Sequence, residues 1–291
     1  MNRIAILADI HGNMPALRAV LADIDSQSPD EVLVGGDLVG RGPEGSRVIA
    51  AIRERGWPTI RGNHEDYLLD FHHRRVPKSW WEANEWSASR WMSAELSEDD
   101  ITHIDSLPYS YSLTRDSPAQ SLLLAHGTPD SANEGIGPWT SDRALTRHLA
   151  SIEEDLLVVG HTHRPMLREV PTGRVVNVGS VGLPFNGDHR AQYAIFDWVG
   201  DDWEIRFRQI DYDQKETLAI YRSSGFLEAG GITAQLLEIE LRKARPHLVP
   251  FLHWARTLRR EPNVERLSEF LELYDSEEPL QQFFMRVSAG D

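Results

Sequence analysis

The sequence predicts a layered α/β fold, and three observations carry that prediction. Short apolar runs recur along the chain; most of them stop at Gly, Asp, Asn or His; and between the early ones the apolar residues repeat at helical spacing. Runs this short, flanked by turn residues, suit fully buried strands better than helices. Strands alternating with helices make a layered fold with ligands expected at the carboxyl ends of the strands.

The elements follow in order. IAIL (4–7) is the first strand candidate and ends at ADIHGN. Asn13 then offers an N-cap, Pro15 suits a first turn, and Met14, Leu17, Val20, Leu21 and Ile24 recur on one helical face. EVLV (31–34) is the second strand, stopped by Gly35 and Gly36, whose bare backbone lets the chain turn tightly enough to present Asp37. Val48, Ile49 and Ile52 mark the next helix, with Gly56 as its stop. PTI (58–60) before RGNHE, SLLLA (121–125) before HGTP and DLLVV (155–159) before GHTH complete the early strand candidates.

Residues 65 to about 107 read as a helical insertion carrying Trp80, Trp81, Trp86 and Trp91, whose near-helical spacing favours packing over a substrate platform. From 174 onward, RVVNVGSVG, AQYAIFDW and WEIRFRQIDY read as strands of a second sheet. Beyond about 213 the chain reads as helical to its end, punctuated by Pro246, Pro250 and Pro262, with DSEEP (275–279) as a solvated turn. This divides the chain into a main body, 1–212, and a helical C-terminal extension, 213–291, whose amphipathic segments packing explains most simply.

Composition bounds the function. With 41% apolar and 26% charged residues in 291, the chain can bury a sizeable core. Its 30 basic against 45 acidic residues give a net charge of −15, which argues against nucleic acid or an anionic membrane as a partner. An anionic substrate would therefore need a locally cationic site. The absence of Cys excludes disulfides, thiolate nucleophiles and Cys-based zinc sites. MNRIAILADIHGN lacks a small-residue cleavage site, and no run approaches the ~18 apolar residues of a membrane span, so a soluble, cytoplasmic protein is expected. Oligomeric state is left open.

Taken singly, Asp9-x-His11 and Asn63-His64-Glu65 are compatible with ordinary turns, and His126 with a satisfied core histidine. His161-x-His163 is sharper, because two imidazoles two residues apart can reach metals from one side of a turn. Together the motifs weigh more: five of the twelve histidines, two aspartates and one asparagine all fall just past five strand candidates. In a parallel-rich sheet these side chains converge on one edge. The other histidines, including His72, His73, His247 and His253, lack this setting and read as surface or packing residues.

Asp9, His11, Asp37, Asn63, His126, His161 and His163 are too many ligands for one tetrahedral zinc, but they suit two divalent ions sharing a bridging carboxylate. Their mixed nitrogen and oxygen donors favour manganese or iron first, with zinc, cobalt or nickel as alternatives, over magnesium or calcium. Two such ions would leave the site cationic, and Arg41 and Arg61 would add fork-shaped donors for phosphate oxygens. Paired metals about 3.5 to 4 Å apart acidify a bound water and clamp the attacking and leaving oxygens of a displacement. Small phosphate esters are thus the expected substrates, with His64 beside Asn63 as general acid.

The series Asp9-Ile10-His11, Gly36-Asp37 through Arg41-Gly42, Gly62-Asn63-His64-Glu65, His126-Gly127 and Gly160-His161-Thr162-His163 resembles, in the same order, that of the calcineurin-like metallophosphoesterases. The resemblance spans roughly residues 1–212. It implies a four-layer α/β/β/α sandwich of two mixed sheets. It also implies one metal on Asp9, His11, Asp37 and His163, a second on Asp37, Asn63, His126 and His161, and His64 as the catalytic histidine.

GDLVGRG and IRGNHE are most similar to the protein-phosphatase and dinucleoside-tetraphosphatase branch, to which the two motif arginines belong. NVGSVGLPFNGDHRAQYAIFD is similar to compact bacterial members, which implies that Asn177 and Gly179 shape a loop near the metals and that Arg190 contacts substrate. The chain departs from the protein phosphatases at Gly40, where they carry an aspartate that orients the catalytic histidine. His64 then needs another partner, and the reading favours a phosphomonoesterase or phosphodiesterase acting on a nucleotide or other small phosphate ester, with a Ser/Thr-type phosphoprotein phosphatase or a dinucleoside tetraphosphatase as the alternatives. A catalytically silent scaffold is disfavoured by the full ligand set, and a nuclease by the acidic balance.

Overall fold

The computed structural model describes residues 2–115, 117–259, 262–274 and 283; the expected DSEEP turn lies outside them. Its strands are β1 (Asn2–Leu7), β2 (Glu31–Val34), β3 (Ser110–Leu113), β4 (Leu122–Ala125), β5 (Leu156–Val159), β6 (Met166–Val170), β7 (Gly173–Asn177), β8 (Ala191–Val199) and β9 (Asp202–Ile210). One sheet runs β2-β1-β8-β9 and the other β3-β4-β5-β7-β6. β1 and β2 are parallel, as are β4, β5 and β7, so the loops after these strands leave from shared edges.

The helices are α1 (Met14–Gln27), α2 (Gly45–Arg55), α3 (Asn63–His72), α4 (Lys78–Glu82), α5 (Ser87–Ala94), α6 (Glu98–Asp105), α7 (Asp142–Leu149), α8 (Gln214–Ser223), α9 (Phe226–Ala229), α10 (Gly231–Lys243), α11 (Leu248–Thr257) and α12 (Val264–Leu273). Asn13 caps α1, accepting from the Ala16 amide, and Gly56 closes α2 in a left-handed conformation.

The two-residue period of the strands sets the layers. Ile4 and Ile6 of β1 face the other sheet, sharing a core with Leu33, Leu122, Leu124, Val158 and Val176. Ala5 and Leu7 face outward onto Leu17, Val20 and Ile24 of α1 and Val48 and Ile49 of α2. In β5, Leu157 and Val159 turn the opposite way and pack on Leu145 and Leu149 of α7. The result is the expected α/β/β/α sandwich, and burial on both faces is why these strands read as unbroken apolar runs.

Two expectations need correction. The segments from 174 do not form a sheet of their own: β7 lies beside β5, whereas β8 and β9 extend the sheet of β1. Strand period fixes which face is buried and carries no information about which neighbour supplies the ladder. PTI forms an isolated bridge from Thr59 to Val34 and no named strand, since Pro58 has no amide to donate to a ladder.

α10 lies across two cores. Its Leu237 and Leu241 join the main one, and its Ile232 and Leu236 join Phe251, Trp254 and Phe270 of the last helices. Ser87 and Thr233 hydroxyls donate to the Gly230 and Asn84 carbonyls at 2.6 and 3.0 Å, tying α10 to the Trp-bearing segment. There Trp91 packs on Phe226 while Trp80 and Trp86 stack with centroids 3.9 Å apart. Among the described residues, no helix is long and apolar enough to cross a membrane.

Candidate metal centre

The loops leaving β1 and β2 are laced together by their backbones. The amide of Asp9 donates to Gly36, those of Ile10 and His11 to Asp37, and that of Gly12 to Leu38, at 2.8 to 3.1 Å. The loops after β4 and β5 meet through the Gly160 amide and the His126 carbonyl. Of the ten non-glycine residues with left-handed backbone among those described, six are Asp9, His11, Asp37, Arg41, His161 and His163. Such conformations are costly and gather where function demands them. Here they turn consecutive polar side chains toward one point.

His11 Nε2 lies 3.0 Å from His163 Nε2, and Asp9 Oδ1 is 3.3 Å from the latter and 3.8 Å from the former. Asn63 Oδ1 lies 3.1 Å from His126 Nε2 and 2.9 Å from His161 Nδ1. Asp37 Oδ2 stands between the two groups, 3.6 Å from His11 Nε2 and 3.3 Å from His126 Nε2. The opposite ring nitrogens of His11, His126 and His163 are turned to the carbonyls of Val39, Gly35 and Leu183. Donation to those carbonyls leaves the Nε2 lone pairs aimed inward.

Each carboxylate has one oxygen anchored on a backbone amide. Asp9 Oδ2 accepts from the His161 amide and Asp37 Oδ1 from the His64 amide, both at 2.9 Å. Asp9 Oδ1 is buried with no hydrogen-bond partner. A fully buried anionic oxygen beside two imidazole nitrogens is strongly disfavoured unless a cation compensates it. Burial also drives His11 well below its ordinary pKa and His161 to about 4. At His126 burial works in the same direction, but Asp37 beside it prevails and raises the ring to about 10. The partnerless Asp9 Oδ1 among inward-turned imidazoles and the Asp37 carboxylate is a donor set that fits divalent cations.

Glu65 holds the frame. Its carboxylate accepts from the amides of Asp37 (2.9 Å), Leu38 (2.7 Å), Val39 (3.2 Å) and Gly62 (2.7 Å), stapling the loop after β2 to the start of α3. Sequence reading gave Glu65 no role, although an acid three residues after the residue preceding a helix is the capping-box signal. Asn177, fully buried, donates to the carbonyls of Ile136 and Gly160 and accepts from the Gly179 amide, fixing the loop that carries His161.

His64 sits beside this cluster, its ring edge-on to His11 at 5.0 Å. Its Nε2 accepts from Arg41 Nε at 3.1 Å, and Arg41 Nη1 donates to Glu240 of α10 at 3.1 Å. Burial, assisted by Arg41, pushes His64 down to about 3, against the pull of Asp37.

A cavity of about 670 Å³ opens over Arg41, Asn63, His64 and His161, and its other walls bring Tyr67, Trp86, Trp139, Arg164, Leu237 and His253 to the same space. His253, read from sequence as packing or surface, therefore faces the site. Trp86 both stacks in the insertion and lines the cavity. Arg164 lies over the Trp139 ring at 5.2 Å with no carboxylate partner among the described residues.

Two expected substrate contacts are not brought there. Arg61 is buried away from the cavity, bonded to Asp66 at 3.3 Å and to the Asp105 carbonyl. Arg190 is bonded by Asp188 and Gln209. In both cases nearby acceptors outside the cavity take the guanidinium.

The family model for the calcineurin-like phosphoesterase superfamily domain matches residues 2–201. An uncharacterized protein of Methanocaldococcus jannaschii is 26% identical over 230 residues, covering 73% of this chain and 89% of the relative. A symmetrical bis(5'-nucleosyl)-tetraphosphatase of Shewanella sp. is 29% identical over 153 residues, 52% of this chain and 50% of the relative, so the chain spans about half the length of that enzyme. Among solved structures, a metallophosphoesterase from Sphaerobacter thermophilus is similar with TM-score 0.64 at 26% identity, over 83% of this chain and 99% of that one. A hypothetical protein from Pyrococcus horikoshii is similar in fold with TM-score 0.68 at 21% identity, over 81% and 98%.

Proposed function

Since this chain belongs to the calcineurin-like phosphoesterase superfamily, we propose that it hydrolyses small phosphate esters with two divalent cations, manganese or iron first among them. Asp9, His11, Asp37 and His163 would hold one ion, and Asp37, Asn63, His126 and His161 the other. The observation that carries this reading is the partnerless Asp9 Oδ1, buried at 3.3 Å from His163 Nε2. Ions there would supply Lewis-acid polarisation of the phosphoryl group and acidify water.

The chain's own groups do the rest. Arg41 offers guanidinium N–H groups to phosphate oxygens. His64 Nε2 can carry a proton only once Arg41 Nε–H turns from the ring to a phosphate oxygen, and the negative charge that phosphate brings then favours that proton. As the oxygen of a water that has lost a proton to solvent bonds to phosphorus and the P–O bond to the leaving group breaks, His64 gives its proton to the leaving oxygen.

The test is hydrolysis of p-nitrophenyl phosphate and bis(p-nitrophenyl) phosphate with manganese and with a chelator. Turnover of at least one, abolished by chelation and reduced about 100-fold or more in His64→Ala, is expected. No metal-dependent turnover of either, together with fewer than one ion per chain, would return the scaffold reading.

A dinucleoside polyphosphate is the second reading. It is favoured by Tyr67, Trp86 and Trp139 lining one cavity with Arg164, and by the tetraphosphatase relative. Relative kcat/KM for a dinucleoside tetraphosphate, a nucleoside monophosphate and p-nitrophenyl phosphate decides between them.

A further inference from the structure

Glu240 lies in α10, 199 residues from Arg41, and is fully buried. One carboxylate oxygen accepts from the amides of His247 and Leu248 at 2.7 and 2.8 Å, at the start of α11. The other accepts from Arg41 Nη1 at 3.1 Å. Arg41 is gripped elsewhere as well: its Nε donates to His64, its carbonyl accepts from Tyr221 Oη of α8 at 2.7 Å, and its guanidinium lies 5.8 Å from the Phe185 ring centre.

A guanidinium has five N–H donors. Two are spent, on His64 and Glu240, and Nη2 has no protein acceptor among the described residues although Arg41 lines the cavity. An arginine side chain on a glycine-flanked loop has many rotamers, and ordering it costs free energy that substrate binding would otherwise supply. The ion pair with a buried carboxylate, itself clamped by two amides, removes that freedom beforehand.

We propose that Glu240 is a positioning residue for phosphate binding: it holds Arg41 with Nη2 presented to the cavity beside His64, which makes α10 and the start of α11 part of the phosphate site. This rests on the reading of Arg41 as the phosphate contact. It predicts that the C-terminal helices set affinity for the phosphoryl group, beyond any packing role.

Glu240→Gln preserves volume and can keep an acceptor toward His247 and Leu248. In the manganese-supplemented protein, it is expected to raise KM for p-nitrophenyl phosphate and the Kd of inorganic phosphate in parallel, by about tenfold, with a smaller effect on kcat. Arg41→Gln should give at least the same change, and the double variant should be no worse than Arg41→Gln alone, because both act through one guanidinium. Thermal unfolding checks that the variants are folded.

Calorimetric phosphate binding reads the same contact without turnover. A wild type that binds phosphate more tightly than Glu240→Gln yet hydrolyses nothing leaves this inference standing and removes the enzymatic reading. Three results would overturn it: unchanged phosphate affinity in folded Glu240→Gln, additive effects in the double variant, or a lowered KM. The last would show that Glu240 competes with phosphate for Arg41. Should Glu240→Gln fail to fold, Arg41→Lys takes its place: it keeps the charge while losing the fork, and unchanged phosphate affinity there would overturn the proposal too.

Discussion

Gly40 has φ +78°, and a Cβ built on it would fall 2.7 Å from both Cβ and Cγ of His64. A side chain here must move either the loop or the ring. Gly40→Ala is therefore expected to lower turnover by at least about tenfold and stability by about 1–3 kcal/mol, read from kinetics and urea midpoints. Unchanged turnover would mean that the ring's placement does not matter. Gly40→Asp should fare no better, because the space an aspartate needs is filled by His64 itself. The cluster residues were legible in sequence because each lies in a short motif, and all but Asn63, which opens α3, stand just past a strand, where residue type and setting coincide. Glu240 was not, since its partner lies 199 residues away and a glutamate in an amphipathic helix carries no mark of burial. Arg61 and Arg190 do not line the cavity, and charge beside a motif says nothing about which way a long side chain turns.

At the scale of elements, Asp23 pins α1 to the first sheet. Its carboxylate accepts from Tyr193 Oη of β8 at 2.5 Å and from Arg208 of β9 at 2.6 and 3.0 Å. Burial opposes its ionisation, but these donors prevail and hold its carboxyl below the usual range. A carboxyl depressed in the fold stabilises it above the unfolded value, about 3.9, and loses that contribution as pH falls through the lower folded value. Asp23→Ala should thus cost about 1–3 kcal/mol at neutral pH, part of it from the Tyr193 hydroxyl left without its acceptor. The gap to wild type should narrow below pH ~4. An equal gap at pH 3 and pH 7 in urea titrations would rule out the ionised pair as the cause. β1, β2, β4 and β5 were legible because burial on both faces leaves uninterrupted apolar runs. β3, SYSL, was not, since an edge strand with polar, largely exposed positions resembles a loop.

At the scale of the molecule, the cluster lies at the sheet edges beneath a wall made by α10, α11 and the Trp86 turn. The cavity between them, about 670 Å³, falls within the roughly 300–1,000 Å³ typical of small-ligand sites. α10 is anchored there from both sides, by its leucines in the main core and by Glu240 on Arg41, so the wall is continuous with the fold. If this wall narrows the approach to Arg41, a phosphorylated loop on a folded protein would reach it less readily than a small ester. The chain's net charge of −15 would add repulsion toward an acidic phosphoprotein, while Arg41 and Arg164, which line the cavity, would attract a small anion. The expected outcome is a kcat/KM for a small aryl or nucleoside phosphate at least about 100-fold above that for a folded phosphoprotein, since poor placement alone costs that much. A short unstructured phosphopeptide should fall between them. Equal efficiency on the folded phosphoprotein would show that the helical wall opens during turnover and does not select by size.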